Sequence, residues 1–385
     1  MKRNRIVICL VACLLLTSLL GVSFGAEQED ITVVDIQKYG NLVLSLPGSE
    51  LMARGIGYGD VVTVTLNGQA YDMPVGSSYS DVDQGSMVCR LVVKADQGED
   101  YIILAINMGD LATAAGIAVK EKTEAAPGYV WHYQEGVQEP VTISIELKEP
   151  GGYYGEWLMH QLVRSEKRED YPGLTDAEFA NFRAVEMGDI AAGRLFRSSS
   201  PVNPEIGRNA CADDAAKAAG VKAFVDLADN EETLTGYPGY ADTYYSHQAH
   251  IALNLGVDFS AEDFKAGLAE GLRFIASQEG PYLVHCNEGK DRAGFVSAVL
   301  ECLMGAAEEE VVADYMATYR NYYGVEPGTE QYTVIADSNI RKSLCTAFGL
   351  ASLEGADLQA SAEAYLEGIG LTEAEIADVR ASLGK

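Results

Sequence analysis

With 385 residues, 48% of them hydrophobic, the chain can bury one large core or two ordinary ones, which excludes disorder and makes two folded units the starting expectation. Fifty-seven acidic against 28 basic residues give a formal net charge of −29. A surface this acidic repels nucleic acid and anionic lipid except where a local positive site overrides the mean field.

Residues 1–25 have the order of a secretory signal: basic Lys2, Arg3 and Arg5, an apolar stretch from Ile6 to Val22, and a small-residue end at Ser23-Phe24-Gly25. Cleavage near Gly25-Ala26 is expected, which makes the protein exported, secreted or cell-surface, with no stable membrane span afterwards. The competing reading is a retained anchor, since Ile6 to Phe24 just reaches the lower limit for crossing a bilayer. Beyond the signal the cysteines are Cys89, Cys211, Cys286, Cys302 and Cys345. They are odd in number, widely spaced and never paired as C-x-x-C, which argues against a disulfide framework and a zinc site. No metal or cofactor is implied.

Residues 27–148 read as a β-rich accessory domain. Asp60 to Leu66 alternates apolar and polar side chains and runs into Asn67-Gly68, a strong two-residue hairpin signal. Asp81-Val82-Asp83-Gln84-Gly85 has the opening of a calcium loop without its remaining ligands, so an ordinary acidic turn is expected. Val141 to Leu147 is a last alternating strand, and Lys148-Glu149-Pro150-Gly151-Gly152 breaks the pattern. Residues 149–174 form a linker or approach segment.

From 175 to 385 helical signals alternate with buried-looking strands, as in an α/β domain. Thr175 with Glu178 and Thr372 with Glu375 are capping boxes, and Ser260 with Asp263 is a weaker one expected to open a helix through Phe274. Lys222 to Leu227 and Pro281 to His285 read as strands. His247 and His250 form an H-x-x-H with no further ligand, so a turn or surface role is expected. The pairs Tyr153-Tyr154, Tyr244-Tyr245 and Tyr322-Tyr323 are expected to pack half-buried, without chemistry.

The chemistry is expected in Cys286-Asn287-Glu288-Gly289-Lys290-Asp291-Arg292, between the strand ending at His285 and an apolar helix from Ala293 to Met304 stopped by Gly305. That order puts the loop at a sheet's carboxyl edge against a helix N-terminus, where backbone N–H groups and the helix dipole can hold a phosphate. The same field favours a thiolate, the form in which cysteine attacks phosphorus. Gly289 allows the tight turn, and Arg292 can grip two phosphoryl oxygens with its planar fork. The ordinary alternative is a buried cysteine ending a core strand. Joint occurrence of His, Cys, Gly and Arg at these spacings arises by composition in roughly one chain in a thousand.

HCNEGKDRAG resembles the HCxxGxxR signature of the protein tyrosine phosphatase superfamily, and its Gly-Lys-Asp-Arg ending resembles the bacterial branch of secreted tyrosine and phosphoinositide phosphatases. Asn181-Phe182-Arg183, Gly193-Arg194-Leu195-Phe196-Arg197-Ser198 and the tail from Ala362 to Leu383 are similar to that branch as well. The resemblance implies an α/β cysteine-phosphatase domain, a central sheet flanked by helices with its phosphate loop between strand and helix, preceded here by the small mostly-β domain. It implies Cys286 as nucleophile, Arg292 and the loop residues Asn287 to Asp291 as phosphate-binding, and a phosphorylated protein or phosphoinositide as substrate. Phosphotyrosine ranks first, then phosphoinositide, with soluble inositol phosphate the further alternative, because Glu288 opposes the charge of Lys290 and would repel a polyanion. The general acid stays open between Asp291, favoured by the resemblance, and Asp258, which precedes Cys286 at the separation of the mobile acid loop of other members.

Two positions depart from the branch. Ala293 stands where a Ser or Thr hydroxyl often assists the thiolate, which implies slower turnover, and Asp226-Leu227-Ala228 replaces Asp-Leu-Arg. Ala293 and Ala228 therefore make a weakened phospho-ligand-binding protein the second class to weigh, and a sulfurtransferase or arsenate reductase using the same kind of cysteine loop is the third, while the arginine in register with the cysteine favours a phosphatase. The N-terminal domain is similar to the C-terminal β-barrel of adenosyl-fluoride and adenosyl-hydroxide synthases, through Gly40-Asn41-Leu42-Val43, Gly59-Asp60 and Ala105-Ile106-Asn107-Met108-Gly109.

Overall fold

The computed structural model describes residues 30–385, so the signal-like segment 1–25 lies outside the described residues. The strands β1 (Ile31–Ile36), β2 (Leu42–Leu44), β3 (Val61–Leu66), β4 (Gln69–Gly76), β5 (Met87–Lys94) and β6 (Glu99–Ile106) come first. β7 (Ala118–Lys122) and β8 (Tyr129–Tyr133) form a separate hairpin, and β9 (Thr142–Glu149) follows. A closed barrel runs β1-β2-β6-β5-β4-β3-β9. Its logic is period two: Val62, Val64 and Leu66 of β3 are buried while Val61, Thr63 and Thr65 alternate with them towards the outside. Asn67 and Gly68 both take positive φ, 51° and 75°, and Leu66 pairs with Gln69, the two-residue hairpin expected from the sequence. Closure through β1 and β9 leaves no long unpaired edge.

β9 leads into a short helix, Tyr154–His160, which joins the two units. Trp157 stacks on Tyr58 of the barrel at 5.6 Å between centroids. Its Nε1 donates to Asp81 Oδ2 (3.1 Å), and Gln161 Nε2 donates to Asp81 Oδ1 (3.0 Å). Asp81 is thus no ordinary acidic turn. It is buried, and although burial pushes its carboxyl up, hydrogen bonds from Gln161, Ser77 and Ser78 hold it below the usual range. On the opposite side of this helix Gly155 lies so close to Ser338 that a Cβ would meet its side chain at 2.5 Å.

The second unit is built on β10 (Arg183–Val185), β11 (Leu195–Ser198), β12 (Ala223–Asp226), β13 (Ala249–Ala252) and β14 (Tyr282–His285), in the order β10-β11-β14-β12-β13. β10 runs antiparallel to β11, and the other pairings are parallel. Every residue of β11, β12 and β14 is buried, as a sheet covered on both faces requires. Leu195, Val225, Tyr282 and Val284 point into the larger core, shared with the helices Glu262–Ser277, Asp291–Leu303 and Glu308–Tyr323. Phe196, Phe224 and Leu283 point the other way, against Ala216 of helix Asn209–Ala218 and Tyr245.

Thr175 and Thr372 close capping boxes with Glu178 and Glu375. The third expected cap is corrected: helix Glu262–Ser277 starts from Ala261 with no side-chain cap, because the Ser260 hydroxyl donates to Asp258 instead (2.6 Å). The tyrosine pairs also differ from expectation, since Tyr245 and Tyr322 are fully buried. Among the described residues no helix is long and apolar enough to cross a membrane.

Candidate active site

Parallel strands ending together create a sheet edge at which consecutive loops converge. Cys286, 2% exposed, follows β14 there. Ser198-Ser199-Ser200 borders it from β11, and the Ser200 amide donates to Asn287 O (3.1 Å). From β12, the Leu227 amide donates to His285 O (3.0 Å). Gly289 takes φ +65°, and a Cβ at that position would lie 2.2 Å from Ser198 O. Only glycine satisfies both the turn and the close approach.

The loop carbonyls are held from outside. Arg197 Nη2 donates to Gly289 O (2.8 Å), Asn181 Nδ2 reaches Glu288 O (3.2 Å), and the Tyr322 hydroxyl donates to Glu288 O (2.6 Å). Among the described residues the backbone N–H groups of Asn287 to Lys290 find no protein acceptor. The helix after the loop begins at Asp291, two residues earlier than expected, so Asp291 and Arg292 occupy its first turn with amides free by construction. The result is a row of uncommitted donors beside Cys286, suited to an anion.

Arg197 is held in turn by Asp314, whose carboxylate also takes Arg183 (2.5 and 2.6 Å). Burial pushes Asp314 up, but the two guanidinium groups outweigh it and keep it ionised. Glu301 beside it is pushed well up by burial and by the Asp314 charge.

Arg292 Nη1 donates to Leu255 O (2.8 Å), while its Nε is buried without a partner. Burial drives the neighbouring His285 down to about 3, so it is neutral and its 3.9 Å approach to Asp226 is no ion pair. Asp226 itself is pushed up to about 7 by burial, against hydrogen bonds from the Ala228 and Asp229 amides.

The carboxyls of the two candidate acids are shifted in opposite directions. Asp291 sits in the loop, its carboxyl raised first by burial and then by Glu288, against Lys290, Arg292 and Arg197. Asp258 is exposed and held low by hydrogen bonds from Ser260. It lines a groove of about 940 Å³ together with Phe259, Lys265 and Tyr365, and no residue from Cys286 to Arg292 lines that groove.

Lys290 is not a solvated loop lysine. Its side chain is 19% exposed, lies over the rings of Tyr319 and Tyr323 at 6.0 and 5.9 Å, and pairs with Glu288 at 3.1 Å. Glu288 also receives Arg164 at 2.5 Å, from the segment before the α/β unit. His250 faces Glu231 at 3.4 Å, and among the described residues no group of three metal-ligating side chains converges. Sequence reasoning missed Arg164, for which an unpatterned linker carries no signal. It also missed Asp314, Thr318, Asn321 and Tyr322, buried residues at helical spacing on helix Glu308–Tyr323 that could have been read as facing something polar.

Comparison with known proteins places residues 178–385 within the model of the tyrosine phosphatase family. Residues 30–124 match that of the SAM hydroxide adenosyltransferase C-terminal domain. A tyrosine-protein phosphatase of Nostoc commune is 29% identical, over 29% of this chain and 42% of that protein, so the chain spans about two fifths of that curated relative. Among solved structures, the core catalytic domain of the PP-IP phosphatase SIW14 from S. cerevisiae is 18% identical (TM-score 0.27; 43% of this chain, 91% of that one). An uncharacterized conserved protein from Thermotoga maritima is also 18% identical (TM-score 0.22; 30% and 35%).

Proposed function

The chain belongs to the tyrosine phosphatase family, and from that premise we propose that it is a cysteine-dependent phosphomonoester hydrolase acting first on phosphotyrosine, with residues 175–385 as its catalytic domain. The observation that carries the reading is Cys286 directly after β14, beside a run of uncommitted backbone donors, with Arg292 in the first turn of the helix that follows. The Cys286 thiolate attacks phosphorus, and the bond to the ester oxygen breaks as the sulfur–phosphorus bond forms. Asp291, whose carboxyl is shifted up by burial and by Glu288, gives its proton to the departing oxygen. Water then attacks the phospho-cysteine, Asp291 takes up a proton from it, and phosphate and thiolate are released. Arg292 and the loop amides hold the equatorial oxygens through both steps.

Phosphotyrosine is placed ahead of phosphoinositides on the family whose model matches residues 178–385. Residues 27–148 act as an accessory module, and the signal-like 1–25 directs export. The test is hydrolysis of a simple aryl phosphate. The purified chain should turn it over, and Cys286→Ser should abolish turnover while keeping phosphate binding. Undiminished hydrolysis in that variant would sink the mechanism, and parallel rates on phosphotyrosine peptides, phosphoserine peptides and phosphoinositides would rank the substrates.

A second reading, a weakened phospho-ligand-binding protein, is favoured by one observation: position 293 is a fully buried alanine in the first turn of the loop helix. On that reading the second step is slow, and rapid mixing should give a burst of phenol that Ala293→Ser shrinks. A linear time course with no gain in the variant would remove this reading.

A further inference from the structure

Glu288 is an unusual residue to find in a loop meant for a dianion. It lies two positions after Cys286 with its side chain only 23% exposed, and it is ionised. Two cations flank it. Lys290 belongs to the loop itself and divides its charge between Glu288 at 3.1 Å and Asp291 at 3.8 Å. Arg164 does not belong to the loop, nor to residues 178–385. It comes from the segment between the bridging helix and the α/β unit, is 19% exposed, places Nη1 2.5 Å from Glu288 Oε1, and has Glu166 as its more distant second acceptor at 3.5 Å. Its guanidinium lies 5.7 Å from the Tyr322 ring centroid, and the Tyr322 hydroxyl holds Glu288 O. Arg164 is thus committed to the loop by charge, by stacking and through a shared neighbour.

We infer that Arg164 is the counter-ion that cancels Glu288, so that the segment preceding the family-matched residues supplies part of the electrostatics needed for phosphate to enter the loop. The inference rests on the phosphate-binding reading of Cys286 to Arg292. A carboxylate two residues after Cys286 and partly shielded from water repels a dianion held by the loop amides, and a guanidinium in direct contact removes most of that repulsion. Arg164 is a positioning residue on this account, since it acts through Glu288.

The segment does not depend on Arg164 for its place. The Tyr171 hydroxyl accepts from the Ser165 amide at 2.9 Å, Arg208 Nη2 donates to Ser165 O at 3.0 Å, and Arg168 binds Asp176 at 2.7 Å. Removal of the Arg164 charge should therefore be felt at the loop rather than as unfolding.

The test measures inorganic phosphate binding by calorimetry in the full chain carrying Cys286→Ser, so that turnover plays no part. Arg164→Ala should weaken phosphate by about tenfold, and Glu288→Gln added to it should restore binding to within about threefold, because the neutral amide needs no counter-ion. Arg164→Met, which keeps much of the side-chain volume without the charge, should behave as alanine does and serves if alanine lowers the melting temperature. Phosphate binding that is unchanged by Arg164→Ala and Arg164→Met overturns the inference alone. So does a loss that Glu288→Gln leaves in place, which would make Arg164 a packing residue. A parent chain that takes up no phosphate overturns the loop reading and this inference with it.

Discussion

In the barrel, the fully buried side chains are Val, Leu, Ile, Met, Ala and Cys, and the buried polar exceptions are Asn41 and Asp81. In the α/β unit, by contrast, Arg197, Arg208, Asp226, His285, Glu301 and Asp314 are all buried. The barrel closes its hydrogen bonds strand to strand, so its interior can be apolar throughout. On the function proposed above, the loop from Cys286 to Arg292 cannot do this. Its amides must stay free for the ligand, so its carbonyls have to be held by side chains from outside, and those side chains carry charge into the core. The barrel's one comparable hub, Asp81, sits where it meets the bridging helix, again where backbone donors and a foreign element must be joined.

The largest effect should come from breaking this scaffold of charge. Arg197→Met leaves Asp314 with one guanidinium and Gly289 O with only the longer bond from Asn181 Nδ2, and should cost about 3–5 kcal/mol of stability in thermal or denaturant unfolding. Retention of the parent stability would mean that the buried pair contributes nothing beyond its volume. The barrel sharpens the contrast: Leu104→Ala removes a wholly buried side chain and should cost about 2–5 kcal/mol. Below its melting temperature this variant should hydrolyse aryl phosphate at the parent rate, and a fall in kcat would show that the barrel shapes the active site.

Within the α/β unit, Asp291→Asn should lower kcat by about 100-fold and flatten the alkaline limb of the pH–rate profile, since the raised carboxyl loses its proton as pH rises through that limb. Asp258→Asn should change the rate by less than about threefold. The reverse ranking would assign the proton to the exposed loop.

A last effect concerns stability and pH. Burial raises Asp226 from 3.8 to about 7, so the folded state holds a proton that the unfolded chain releases, and stability falls as pH rises between those values. Asp226→Asn keeps the Oδ1 acceptor for Ala228 and Asp229 and removes the ionisation. It should melt higher than the parent above pH 7, and the difference should vanish near pH 4. An equal gain at both ends would trace the effect to packing rather than to the proton.

Much of this was legible before any coordinates, and for a common reason. The Asn67-Gly68 hairpin, the Thr175 and Thr372 capping boxes and the strand-loop-helix around Cys286 each depend on residues within a few positions of one another. Ser260 shows the limit of such reasoning: its sequence fits a cap, but Asp258 two residues earlier offers a competing acceptor. Lys290 shows another, because nothing local tells that Tyr319 and Tyr323 will cover it.

By itself the sequence determined the two units, the family of the second, and the residues of the loop, since periodicity, turn chemistry and motif spacing act over short stretches of chain. Only the tertiary structure decided which charges face each other. Arg164 meets Glu288 across 124 residues and Arg197 meets Asp314 across 117. Coulombic pairing depends on distance in space and on exclusion of water, and neither leaves a periodic trace in the sequence.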